Sequence, residues 1–206
     1  MLSYQHLYHA GNMADVHKHS LLAWMLQYLT QKEKPVSYIE THAGRALYDL
    51  TSDEAIKTGE AAEGINRVLA ANWFSESHPY LQALTKIRAQ HGPQSYPGSP
   101  LLAAETLRPT DSLHLAELHP QESTALEYAM SPYRARCYTQ DGFTLAQSLC
   151  PPMPRRGMLV IDPSYEMKSE YGTLPGFIRQ IHRKWPVGII VLCTRCSPQG
   201  LSLIHI

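Results

Sequence analysis

Three features of the sequence predict an α/β fold built on a mostly parallel, doubly wound sheet. Strand-like apolar runs alternate with helical periodicity from Ser112 onward, each strand ends in polar or acidic residues, and a helix-rich stretch follows the first strand. Asn12-Met13-Ala14-Asp15 reads as a helix start, with Asn12 as the cap and Asp15 near the positive helix end. Leu21, Trp24, Met25, Tyr28 and Leu29 follow at i, i+3, i+4, i+7, i+8 spacing and are expected to form its buried face, with Pro35 as the stop. Val36 to Glu40 is short and rich in β-formers, so it is the expected first strand, feeding the turn Thr41-His42-Ala43-Gly44.

Residues from about 52 to 107 read as a helical insertion, with buried stripes Ile65/Val68/Leu69 and Tyr80/Leu81/Leu84/Ile87 and breaks at Gly92-Pro93 and Tyr96-Pro97-Gly98. The alternation then runs in order: strand Leu113–Glu117, a helix around Leu126 and Met130, strand Arg136–Thr139, a short helix after Asp141-Gly142, and the apolar strand Met158–Asp162. A helix spaced by Tyr171, Leu174, Ile178, Ile181 and Trp185 follows, and then the strand Val187–Leu192.

The chain has 206 residues, with 18 basic against 18 acidic side chains and 44% hydrophobic residues, enough for one sizeable core and incompatible with global disorder. No apolar run nears the roughly 18 to 20 residues that span a bilayer, which excludes a membrane protein. The opening Met1-Leu2-Ser3-Tyr4-Gln5-His6 lacks the features of a secretory signal, and four cysteines make no disulfide scaffold, so a cytoplasmic location is expected. Zero net charge supplies no general electrostatic argument for a nucleic-acid partner but leaves room for a local basic patch. Arg134, Arg136, Arg155, Arg156 and Lys168 are candidates for one, against a solvated rim as the plain alternative.

Ligands of open parallel sheets bind beyond the carboxyl ends of the strands, so the chemistry is sought there. His42 and Gly44 follow the first strand, Glu117 closes the second, Asp141-Gly142 follows the third and Asp162-Pro163-Ser164-Tyr165 the fourth. Any one acid in such a place can be only a helix cap. Four polar strand ends in register suit an adenosine-bearing cofactor: Glu117 for ribose hydroxyls, Gly44 for close backbone approach, Asp141 for an adenine amino group. The first turn is not G-x-G-x-x-G, so a pyrophosphate cradle is poorly supported and a cofactor without phosphate fits better than NAD.

Asp162-Pro163-Ser164-Tyr165 resembles the (Asp/Asn/Ser)-Pro-Pro-(Tyr/Phe/Trp) motif of methyltransferases that modify exocyclic amino groups, with Ser164 in place of the second proline. An adenine amino nitrogen has its lone pair delocalised into the ring and needs acceptors for its hydrogens. Asp162 and the Pro163 carbonyl supply them, and Tyr165 can stack on the base. Read alone, Asp-Pro-x-Tyr is also a common turn.

The ordered set as a whole resembles the ribosomal RNA large subunit methyltransferase J family. The matching segments are Met1 to His6 with His9 to His19, Thr41 to Gly44, Tyr96 to Pro100, Ala116 to Pro120, Asp141 to Phe143 and Ile161 to Lys168. The resemblance spans roughly residues 1 to 192. It implies a Rossmann-like class I S-adenosylmethionine-dependent methyltransferase fold, with the family's helical subdomain at about 52 to 107. It also implies methyl transfer from S-adenosylmethionine to N6 of one adenine in 23S ribosomal RNA, on largely naked RNA before assembly, by a monomer. Carried over by position, His19, His42, Ser99, Glu117, Asp141, Gly142 and Asp162 would contact the cofactor. Asp162 would be the catalytic acceptor, and Tyr4, with Pro163 and Tyr165, would meet the substrate.

Other readings remain as alternatives: an NAD-dependent oxidoreductase, and a catalytically impaired RNA-binding fragment. His6, His9, His17 and His19 lack the neighbours of an established metal-ligand spacing, so no metal is expected. Cys193-Thr194-Arg195-Cys196 has redox spacing but no following amphipathic helix. Residues 193 to 206 depart from the family pattern and read as a non-native or disordered tail, with the last strands missing and Val187–Leu192 left as an unprotected edge.

Overall fold

The computed structural model describes residues 5–165, 169–195 and 202–205. After a short 3-10 turn at His6–Tyr8, the elements are α1 (Met13–Thr30), β1 (Ser37–Glu40), β2 (Leu47–Asp49), α2 (Asp53–Thr58), a π-helical turn (Ala62–Asn66), α3 (Arg67–Ala70), α4 (Pro79–His91), β3 (Ser95–Pro97), α5 (Ser99–Thr106), β4 (Ser112–Ala116), α6 (Pro120–Met130), β5 (Ala135–Tyr138), α7 (Gly142–Leu149), β6 (Gly157–Ile161), α8 (Ser169–Lys184), β7 (Ile189–Arg195) and β8 (Ser202–His205). The main sheet runs β5-β4-β1-β6-β7-β8. All its pairs are parallel except β7 with β8.

Strand side chains alternate between two faces. Tyr38, Leu113, Leu115, Met158, Val160 and Val191 pack with Leu22, Leu26, Leu101 and Leu126, so α1, α5 and α6 cover one face. Ile39, Leu159 and Ile161 pack with Ala146, Leu174, Phe177, Ile181 and Trp185, so α7 and α8 cover the other. This three-layer, doubly wound arrangement is the predicted fold class.

The helical insertion has its own apolar core, in which Ile65, Val68, Tyr80 and Leu84 pack with Leu7, Val16 and Tyr96. Its base is the antiparallel pair β2–β3, with Tyr48 opposite Tyr96, which the sequence reading did not foresee. Helix α5, counted within the helical stretch in that reading, instead buries Leu101 and Ala103 in the main core, as the first crossover helix.

Two expectations are corrected. On α1, Met25 and Leu29 are buried as expected, but Leu21, Trp24 and Tyr28 are exposed, and Leu22, Ala23 and Leu26 are buried in their place. The helix carries two apolar stripes, and periodicity alone cannot choose between them; on the outer one Trp24 and Tyr28 stack on each other, 6.0 Å between centroids. At the far edge, β7 continues to Arg195 and pairs with β8, Leu192 opposite His205 and Thr194 opposite Leu203. The strand expected to be an open edge therefore has a partner on each side, although Val187 lies outside it and is exposed.

Candidate active site

The carboxyl ends of β1, β4 and β6 lie side by side, because these strands are adjacent and nearly in register. At the end of β1, the Glu40 carboxyl group is fully buried; Ser99 Oγ donates to it at 2.5 Å and Tyr38 Oη at 2.9 Å. Burial pushes this carboxyl up to about 8, since the two hydroxyls and the nearby Lys18 charge only partly offset the loss of water. Glu40 is therefore mostly neutral at pH 7.

Helix α1 supplies the charges facing β6. Asn12 Oδ1 accepts from the Asp15 N–H at 2.9 Å, which fixes the first turn. Asp15, Lys18 and His19, at i, i+3 and i+4, then share one face. Asp15 is buried, accepting from Gly11 N–H at 3.0 Å and pairing with His6 Nε2 at 2.7 Å and Lys18 Nζ at 3.3 Å. Lys18 Nζ reaches across to Asp162 Oδ2 at 2.6 Å. Burial alone would raise the Asp162 carboxyl, but the Lys18 ammonium outweighs it and holds the group below its ordinary range. Burial likewise opposes the Lys18 charge, and Asp162 and Asp15 outweigh it and lift Lys18 well above its usual value. The pair is therefore ionised on both sides. Beside it, His19 Nδ1 lies 2.9 Å from Tyr96 Oη, while its Nε2 is buried with no hydrogen-bond partner among the described residues. Burial first, then the Lys18 charge, bring His19 down to about 3, so it is a neutral imidazole.

The loop after β1 forms the other half of the rim. Gly142, at the start of α7, lies so close that a Cβ there would fall 1.9 Å from the Thr41 carbonyl oxygen. His42 Nδ1 is 2.8 Å from Thr41 Oγ1, and its ring meets the edge of Phe143. Burial lowers the His42 imidazole, while the Asp162 and Asp141 charges pull it up only in part. Gly44 has φ +63°, and a Cβ would come within 2.5 Å of Tyr48 Oη, so glycine is required. Its N–H donates to Glu117 Oε2 at 2.8 Å, and Glu117 Oε1 accepts from His119 N–H at 2.8 Å. Burial raises the Glu117 carboxyl against these two bonds. Arg45 grips the buried Glu122 with two prongs, at 3.0 and 2.5 Å, fastening the loop to α6. Asp141 Oδ1 caps α7, accepting from Thr144 N–H and Oγ1, both at 2.7 Å.

Of the sequence-derived candidates, His19, Ser99 and Asp162 join one buried polar cluster, with Lys18 and Glu40 at its centre. Glu117 and Asp141 sit on the adjoining loops and Gly142 starts α7; Glu117 accepts from the Gly44 N–H, and Gly142 packs on the Thr41 carbonyl. Pro163 is buried; Tyr165 has φ +57°, donates to the Cys193 carbonyl at 2.6 Å, and its ring lies 4.5 Å from that of Tyr171. Tyr4 lies outside the described residues. Sequence reasoning missed the roles of Lys18 and Glu40, whose partners Asp162 and Ser99 are distant in the chain. Of the arginine candidates, Arg156 is committed to the carbonyls of Lys34 and Leu29, and Lys168 lies outside the described residues. Among the described residues no cluster of His, Cys, Asp and Glu is arranged to hold a metal ion, and no helix is long and apolar enough to cross a membrane.

The fold and rim together define a doubly wound α/β domain with acidic side chains at the carboxyl ends of its strands and no glycine-rich phosphate cradle. Residues 33–196 match the family model described as Ribosomal RNA large subunit methyltransferase D, RlmJ, and the chain belongs to that family. It is 40% identical over 194 residues to Ribosomal RNA large subunit methyltransferase J of Escherichia coli, covering 93% of this chain and 69% of that protein. It is 38% identical to the protein of the same name from Haemophilus influenzae, covering 91% and 68%. Among solved structures it is similar to protein LPL1258 from Legionella pneumophila, with a TM-score of 0.80 and 38% identity over 89% of this chain and 68% of that one.

Proposed function

We propose that this chain is a cytoplasmic, monomeric methyltransferase that transfers a methyl group from S-adenosylmethionine to N6 of one adenine in 23S ribosomal RNA, acting on the RNA before assembly. The observation that carries this reading is the Lys18–Asp162 pair at the end of β6, in a chain of this family. Lys18 occupies Asp162 Oδ2 and keeps the carboxylate ionised, so Asp162 can accept a hydrogen from the adenine amino group at neutral pH.

The residues present fit S-adenosylmethionine. The orphaned His19 Nε2 is a buried polar atom with capacity for a ligand. Glu117 and Asp141 stand where a ribose and an adenine would be read, and the first turn offers no cradle for a phosphate the cofactor lacks. Cofactor contacts are assigned to His19, His42, Ser99, Glu117, Asp141, Gly142 and Asp162. The cofactor supplies an electrophilic methyl group on a sulfonium.

The protein's own part is positioning and charge. Asp162 and the Pro163 carbonyl accept the two amino hydrogens and draw the nitrogen lone pair out of conjugation. Tyr165, steadied by Tyr171 and the Cys193 carbonyl, stacks on the extruded base, and Tyr4 meets the RNA substrate. The neutral state of His19 and Glu40 leaves Asp15, Lys18 and Asp162 as the fixed charges of the cluster.

Two measurements test the reading. S-adenosylhomocysteine should raise the melting temperature and NADH should not; the opposite result contradicts the cofactor assignment. Asp162→Ala should lower methyl incorporation into unmodified 23S RNA by on the order of 10²–10³-fold or more while weakening S-adenosylhomocysteine binding far less. Unchanged incorporation would remove Asp162 from the reaction.

A further inference from the structure

A groove of about 350 Å³ opens at the outer edge of the main sheet, away from the rim, lined by Asp111, Ser112, Leu113, Arg134, Ala135 and Arg136. Arg136 lies on β5 and Arg134 in the turn just before it, and both line this groove. Both are exposed, and among the described residues neither guanidinium has a hydrogen-bond or ion-pair partner. The one acid of the groove does not balance them. Asp111 accepts from Arg108 Nε and Nη2, both at 3.0 Å, and from Val36 N–H at 2.8 Å, so its charge is already matched. Arg136 stands opposite the buried His114 in the strand register, and His114 Nδ1 lies 3.0 Å from Tyr138 Oη with the two rings stacked. The strip Arg134, Arg136, Tyr138 thus leads from the groove up to the rim, where the Tyr138 carbonyl accepts from the Glu117 N–H at 3.0 Å.

We infer that this strip is a docking track for the phosphodiester backbone of the RNA substrate, flanking the adenine that enters at Asp162. The inference rests on the proposed RNA substrate and adds where the rest of that RNA lies. Three strand spacings separate β5 from β6, and Arg136 sits two residues below the rim, so the groove lies roughly 15–20 Å from Asp162. A duplex arm beside a flipped-out base carries a closely spaced row of backbone phosphates along each strand, which the two guanidiniums can meet. Arginine suits this task because its planar fork binds phosphate in a two-pronged way. A competing explanation is that the arginines only keep an edge strand from pairing with other chains; that role would need positive charge but no RNA.

The test compares the wild type with Arg134→Gln/Arg136→Gln and Arg134→Lys/Arg136→Lys, using a labelled 23S RNA fragment that contains the target adenine. The glutamine variant should remain monodisperse, bind S-adenosylhomocysteine normally, and lose about tenfold in RNA affinity. The slope of log K against log salt should fall by about 1–2, and KM for RNA should rise with kcat preserved. The lysine variant should recover most of the affinity. A glutamine variant with unchanged affinity and slope, or one that aggregates without losing RNA affinity, overturns the track. The proposed reaction fails separately: a wild type that binds RNA through these arginines but transfers no methyl group contradicts the reaction and keeps the track.

Discussion

The two halves of the rim use acidic side chains in opposite ways. On the β6 side, the buried Asp15 and the partly buried Asp162 are matched by a side-chain cation, Lys18, with neutral Glu40 and His19 beside them. On the β4 and β5 side, Glu117 and Asp141 spend oxygens on backbone N–H groups and so shape the loops after their strands. The first arrangement holds carboxylates ionised with little water around them; the second fixes the loops that follow β1, β4 and β5. A carboxylate beside a helix start is thus two different devices within one site.

Substitutions can break that contrast, from the largest effect to the smallest. Lys18→Met strips the shared cation from the buried Asp15 and the partly buried Asp162 and should cost up to about 3–5 kcal/mol in urea unfolding at pH 7, with much of the loss recovered at low pH where the acids are protonated. Gly142→Ala forces a Cβ into the Thr41 carbonyl and should cost about 1–3 kcal/mol, since neither backbone can move without disturbing the rim. Glu117→Gln leaves one of two backbone N–H groups without a good acceptor, a loss of about 1–3 kcal/mol. Asp141→Ala removes only a cap and should cost about 1 kcal/mol.

The pH dependence sharpens the same contrast. Glu40 has a raised carboxyl, near 8 against 4.5, so its contribution to stability is full below 4.5 and is lost as pH rises toward 8. His19 is depressed from 6.5 to about 3, so its contribution is present above 6.5 and is lost as pH falls below that value. The two slopes oppose each other between about 4.5 and 6.5, and above 6.5 the Glu40 slope stands alone. Denaturation midpoints of the protein without ligand should therefore decline from pH 6.5 to 8, and Glu40→Gln should flatten that decline. A decline of equal size in the variant would place its origin elsewhere.

The parallel sheet was legible because its strands are apolar runs that end in acids or turns, as at Met158 to Asp162, and because those ends are where such sheets bind ligands. The site candidates were chosen one strand at a time for the same reason. What could not be read was pairing across the chain. Lys18 meets Asp162 over a separation of 144 residues, and neither residue's type announces the other. Strands β2 and β3, three residues each, are stabilised by the opposed Tyr48 and Tyr96 and carry too little local pattern to find. The buried face of α1 was misassigned because Leu22, Met25, Leu26 and Leu29 satisfy helical spacing as well as the exposed stripe does. β8 escaped because the final segment matched no expected pattern, yet its backbone completes the edge beside β7.

The most direct test of the central claim, that Asp162 is an ionised acceptor aimed at an adenine amino group, is mass analysis of nucleosides from unmodified 23S RNA incubated with S-adenosylmethionine and this chain. The expected product is N6-methyladenosine at a single position, absent when Asp162→Ala replaces the wild type. Methylation at a different atom, or none from a folded protein that binds S-adenosylhomocysteine, would contradict it.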